Sequence, residues 1–222
     1  MSFFTFLIPR KKKGPLSAKL EANLRLSDIA QPITPVTHWD ELVLPDEERQ
    51  VLLHLVEYVK NRYRRYERFG FFAKLVRNKG TCILLEGDRE RDRSMVVEVL
   101  ANDLKLGLYR VDCSAVVNKY IGETEKNLNM LLDLAAQGRV ILWFDEADAL
   151  FGKRSEVNDT HDRNANIEVS NLLNRMERIN GLVILATNLK AELEADCIQK
   201  MKYVVKLPIQ DSEKRKKRNA TL

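Results

Sequence analysis

Cysteine is scarce in this 222-residue chain: Cys82, Cys113 and Cys197 lie far apart, with no CxxC pair. That excludes both a zinc-ribbon pattern and a disulfide framework. The three are expected as buried apolar thiols in a reducing cytoplasm. Histidine is equally sparse, and His38, His54 and His161 have no second His or Cys near in sequence to make a metal site. No apolar run approaches the ~20 residues that span a bilayer. The opening Met1–Pro9 is apolar, but its basic partner Arg10–Lys13 follows it, the reverse of a secretory signal. That segment reads as a loose terminus or a short docking anchor. The second basic run, Lys214–Arg218, has no interleaved aromatics, which argues against nucleic-acid binding.

What is present suits one globular domain with extra segments: 45% of residues are hydrophobic, 31% are charged, and the net charge is +5. Residues 1–38, punctuated by Pro9, Pro15, Pro32 and Pro35, read as an extension with at most a short helix at Leu16–Leu26. Pro45–Phe69 reads as an amphipathic helix. Leu52, Leu55, Val56 and Val59 form its apolar stripe, and Arg62, Arg64, Arg65 and Arg68 its polar side. An alternation follows, with strands at Thr81–Leu85, Gly107–Asp112, Val140–Phe144, Leu182–Ala186 and Tyr203–Leu207. Helices are expected at Ser94–Leu104, Glu123–Ala136 (closed by Gly138) and Asn166–Ile179. Uninterrupted apolar strands alternating with helices imply an α/β fold of three layers, with a central parallel sheet of about five strands.

The strand Ile141–Phe144 ends in Asp145-Glu146. At the carboxyl edge of a parallel sheet such a pair can hold Mg²⁺ through water and polarise an attacking water. This string, with the Asn188 that follows the Leu182–Ala186 strand and the loop Lys119–Glu125, resembles the AAA subfamily of the AAA+ ATPases, over about Trp39 to Asp211. The resemblance implies a P-loop NTPase-like core using ATP and Mg²⁺. Asp145 would be the metal carboxylate, Glu146 and Asn188 the catalytic positions, and Tyr120, Ile121 and Gly122 the pore loop. Partners would be proteins, including other AAA subunits in a ring.

Three departures from the family's pattern stand against that activity. Where the family has GxxGxGK[ST], this chain reads Gly87-Asp88-Arg89-Glu90-Arg91-Asp92-Arg93-Ser94. Only Gly87 and Ser94 match, and Arg93 replaces the lysine. The family's inner glycines take left-handed torsions that aim N–H groups at phosphate. A side chain there costs of order 1 kcal/mol or more per position. A carboxylate ~4 Å from a phosphate charge adds about 4 kcal/mol at an effective dielectric of 20, close to a thousandfold in affinity. Arg93 is expected to pair with Asp88, Glu90 or Asp92, and Asp145 and Glu146 with Arg91 or Arg93. Second, Gln199 and Lys200 stand where the family places the arginines that reach a neighbour's γ-phosphate. Third, the family's helical lid is expected to be missing after Pro208. The sequence therefore reads as an AAA-type core, 39–211, with a basic tail at 212–222. Its expected function is that of a non-hydrolysing or very weak ATPase acting as an interaction module. The alternative is an active remodelling ATPase whose phosphate site is rebuilt around Arg89, Arg91 and Arg93.

Overall fold

A computed structural model describes residues 29–69, 80–113, 123–137, 140–152, 171–177, 179, 181–188, 193 and 195–208. The pore-loop residues Tyr120, Ile121 and Gly122, the Leu16–Leu26 segment, Gly138, His161 and both basic runs lie outside them, as does everything after Pro208, where a lid would follow.

The described elements alternate as expected. They are β1 (Ala30–Ile33), α1 (Asp46–Phe69), β2 (Thr81–Glu86), α2 (Glu90–Leu104), β3 (Gly107–Asp112), α3 (Glu123–Gln137), β4 (Val140–Asp145), the short α4 (Asp148–Phe151), β5 (Leu182–Thr187), the short α5 (Ala195–Gln199) and β6 (Tyr203–Lys206). Residues 171–176 are also helical. The strands form one sheet in the order β1-β3-β4-β5-β2-β6. Every pairing is parallel except that of β1 with β3.

The expected parallel sheet is thus present with a sixth, antiparallel edge strand, and that strand comes from the segment read as an extension. Pro32 made the segment look like a loop, but an edge strand tolerates a residue without an N–H. Ile29 and Ala30 are accordingly buried in the core. Glu98 of α2 fastens the chain just beyond β1: its Oε2 accepts from the Val36 and Thr37 N–H groups (3.1 and 3.2 Å) and from the Thr37 hydroxyl (2.9 Å).

β2, β4 and β5 are buried on both faces. One face packs Leu84, Leu142, Phe144 and Leu185 against α3 and the 171–176 helix. The other packs Ile83, Leu85, Trp143 and Ile184 against α1 and α2. The α1 stripe of Leu52, Leu55, Val56 and Val59 is buried as its spacing predicts. Arg62 differs from expectation: it is buried rather than on the polar side. Its guanidinium donates to Thr81 Oγ1 at 3.0 Å and to the Gly181 carbonyl at 2.8 Å, fastening α1 to the amino end of the sheet.

The largest difference lies at the start of α2. The sequence places it at Ser94, but it begins at Glu90. Its other end is a left-handed cap: Lys105 has φ 54° and ψ 42°, and the Leu106 N–H reaches back to the Ala101 carbonyl at 3.1 Å.

Candidate functional site

Parallel pairing brings the carboxyl ends of four strands to one edge. Asp112 of β3 is in register with Asp145 of β4, and Glu86 of β2 with Thr187 of β5. The connection from β2 to α2 is the three residues Gly87, Asp88 and Arg89. The Gly87 N–H donates to the Thr187 carbonyl at 3.0 Å. A Cβ on Gly87 would meet the Leu207 side chain at 3.0–3.1 Å, so this position favours glycine. Arg89 is extended (φ −99°, ψ 123°) and caps α2 without a side-chain bond. Its carbonyl accepts from the Asp92 and Arg93 N–H groups at 3.1 and 3.2 Å. Glu90 and Asp92 occupy the first turn, where the helix dipole favours carboxylates. No residue from 88 to 94 has a positive φ.

Arg93 lies one turn into α2 and is 5% exposed. Its Nη1 donates to the Gly87 carbonyl at 2.7 Å. Nε and Nη2 approach Asp145 Oδ1 at 3.2 and 3.1 Å. The expected pairing of Arg93 with Asp88, Glu90 or Asp92 is corrected by this geometry. Helical backbone from Glu90 turns the Arg93 side chain toward the sheet, where Asp145 is the buried acid in reach. The expected pairing of Asp145 with Arg93 is present.

Asp145 is 3% exposed, and its second oxygen is held as well. Arg110, from the middle of β3, donates from Nη2 to Asp145 Oδ2 at 2.7 Å and contacts Glu90 Oε1 at 2.8 Å. The Arg110 guanidinium also lies 5.0 Å from the centre of the Trp143 ring. Two cations and two carboxylates therefore join α2, β3 and β4, with their charges balanced. Sequence reasoning missed Arg110. The available signal was a charged residue inside an otherwise apolar strand at a sheet covered on both faces, next to the strand that ends in Asp145.

The remaining candidates are dispersed: Glu146 and Asn188 follow strand ends at this edge, whereas Lys200 lies near Cys82 at the amino end of β2. Glu146 is exposed and has φ 53°, the left-handed region that an L side chain adopts at a cost. After it the chain turns back on the sheet, with the Ala147 N–H donating to the Ala186 carbonyl at 2.9 Å. Thr187 donates its hydroxyl to Asp148 Oδ1 at 2.6 Å. Asn188 is exposed beyond β5. The Ser94 hydroxyl donates to Glu98 Oε1 at 3.1 Å. Gln199 is exposed, and Lys200 donates to Asn174 Oδ1.

Burial raises the nearby Cys113 thiol pKa well above its usual value, helped by Asp145, Asp112, Asp148 and Glu146. Burial also pushes the Glu98 carboxyl up, but hydrogen bonds from Val36, Thr37 and Ser94 outweigh it and hold the group below the usual carboxylate value.

A glycine after the first parallel strand, β2, an acid ending β4, one strand removed from it across β5, and this strand order define a P-loop NTPase-like α/β core. Residues 83–209 match the family described as ATPase family associated with various cellular activities (AAA). That is more than half of the chain, and the chain belongs to this family. It is 28% identical over 169 residues to an uncharacterized AAA family ATPase, y4kL, of Sinorhizobium fredii, covering 76% of this chain and 49% of the relative. It is 28% identical over 160 residues to the ATPase family gene 2 protein of Schizosaccharomyces pombe, covering 70% and 18%. It is also 28% identical over 148 residues to the 26S proteasome regulatory subunit 6B homolog of Aspergillus niger, covering 64% and 34%. The chain thus spans about half the length of the first of these relatives and less of the others. Family membership implies ATP and Mg²⁺ as ligands.

Proposed function

We propose that this AAA domain hydrolyses ATP very weakly or not at all, and that it works as an interaction module. The observation that carries this reading is the placement of Arg93. Its guanidinium fills the space between the Gly87 carbonyl and Asp145, while α2 starts at Glu90. Residues 90–92 point their N–H groups along a helix instead of curling them round a phosphate. The residues present do not fit a nucleotide phosphate with its metal in this arrangement.

Glu90 has its charge met by Arg110, so repulsion of phosphate counts for less, and occupation of the site by the protein's own side chains counts for more. Gln199 and Lys200 extend the reading to a neighbour: neither supplies a guanidinium for a γ-phosphate in trans, a contribution worth ~10³ or more in rate in family members that have one. Protein partners are proposed, among them other AAA subunits, because relatives include proteins named as proteasome regulatory subunits. A cytoplasmic setting accords with three buried cysteines that form no disulfide, and no helix among the described residues is long and apolar enough to cross a membrane.

Calorimetry with ATP, with and without Mg²⁺, tests the proposal on wild type beside Arg93→Ala. The expected result is no saturable binding to wild type below millimolar concentrations and no turnover. Micromolar affinity with hydrolysis would end it.

A second reading keeps activity, with phosphate held by Arg89 and Arg91. Both are exposed at the carboxyl edge, as are Glu146 and Asn188. This reading requires that Glu146→Gln retain ATP longer than wild type.

A further inference from the structure

We propose that Arg93 and Arg110 form an autoinhibitory clamp in which two guanidinium groups stand where a divalent cation would meet Asp145, with Arg110 as the outer jaw. This rests on the assignment of Asp145 as the family's metal carboxylate and deepens the reading above by saying what excludes the metal.

Occupancy and charge both stand against a cation at Asp145. A carboxylate holds a cation through oxygen lone pairs, directly or through a bound water. On Asp145 both oxygens are engaged: Oδ1 by Arg93 at 3.1 Å, and Oδ2 by Arg110 at 2.7 Å. A divalent cation would have to displace a guanidinium and then remain a few ångströms from two positive charges.

The jaws differ. Arg93 is buried and bonded to the Gly87 carbonyl, so it is fixed by the fold. The Arg110 side chain is 36% exposed, and its second partner, Glu90, is 59% exposed. Arg110 also stacks on Trp143. Its exposed side lets it swing away from Asp145 Oδ2, uncovering the Trp143 ring on which it lies while Arg93 stays in place.

Trp143 supplies the readout. It lies on β4 two residues before Asp145, and its indole can sensitise Tb³⁺ luminescence only at close range. The test titrates Tb³⁺ into the full chain without nucleotide, exciting tryptophan, in wild type and Arg110→Gln. Removing one positive charge beside a multivalent ion at an edge open to water is worth on the order of tenfold or more in affinity. The sensitised emission of Arg110→Gln should therefore reach its midpoint at least about tenfold lower in Tb³⁺ than any emission from wild type. Adding Trp143→Phe should remove that signal, leaving only what Trp39 contributes. Competition by Mg²⁺ or Mn²⁺ should quench the Arg110→Gln signal.

Equal midpoints for wild type and Arg110→Gln would overturn the clamp. So would emission from Arg110→Gln that survives Asp145→Asn in a chain still folded by circular dichroism. Should Asp145→Asn unfold the chain, the comparison of the two midpoints decides alone. Because no nucleotide is present, tight ATP binding by wild type would defeat the reading above while leaving this test intact, and the converse also holds.

Discussion

Arg93 and Asp145 share one buried contact in which two nitrogens of the guanidinium meet a single carboxylate oxygen, at 3.2 and 3.1 Å. Breaking one partner of such a pair strands the other in a low-dielectric setting and costs ~3–5 kcal/mol, whereas replacing both with apolar groups of similar size is often near neutral. Arg93→Met should destabilise the fold by about 3 kcal/mol, at the lower end because Arg110 still serves Asp145 Oδ2. Arg93→Met combined with Asp145→Leu should recover more than half of that loss. Urea unfolding with an unchanged m-value is the check. A double variant no more stable than the single one would contradict the pairing as the source of the effect.

The sheet was largely legible because its strands announce themselves. Ile141–Phe144 and Leu182–Ala186 are unbroken apolar runs, and only a strand covered on both faces reads that way. Arg93 and Asp145 were both singled out from sequence, but their contact spans 52 positions and no local pattern specifies it. The start of α2 was missed because the family pattern places a loop there. The local signal, Glu90 and Asp92 in what proves to be a first turn, favoured helix and was overridden. Arg62 illustrates the opposite error. Helical spacing assigned it to the polar side, yet the amino end of a sheet offers carbonyls that a long side chain can reach. β1 was illegible because its stability comes from pairing with β3, not from its own sequence, Ala-Gln-Pro-Ile.

The thiols should be inert in the folded chain. Burial, with Glu177 and Cys197 adding to it, pushes the Cys82 pKa up to about 12. Burial among acids also raises Cys113 well above its usual value, and Cys197 is buried. Since the thiolate is the reacting species, modification by a disulfide reagent near neutral pH should be slower than in the urea-unfolded chain by on the order of 10²-fold. Rapid labelling of even one thiol without denaturant would show that the core opens locally.

Lys105 holds the left-handed cap of α2 with a side chain that the conformation disfavours. Glycine carries no such penalty, though it loses more entropy on folding. Lys105→Gly should raise stability by about 0.5–1 kcal/mol, a rise of a few degrees in Tm for a domain of this size. A fall in Tm would mean that the cap is not left-handed in solution.

Glu98 should make stability depend on pH with a definite sign. Its folded pKa lies below the ordinary 4.5, because the ionised form accepts from two backbone N–H groups and two hydroxyls. The unfolded chain therefore binds the proton more readily. The contribution of Glu98 is fully present above the unfolded value and is lost as pH falls through the folded one. Glu98→Gln keeps the shape but not the charge, and should cost about 1–2 kcal/mol near neutral pH by weakening these bonds. Unfolding free energies of wild type and variant at about pH 7 and about pH 3.5 give the test, because the gap between them should narrow at the acid end. A gap of constant size would mean that the carboxylate's charge contributes nothing to fastening residues 36–37 onto α2.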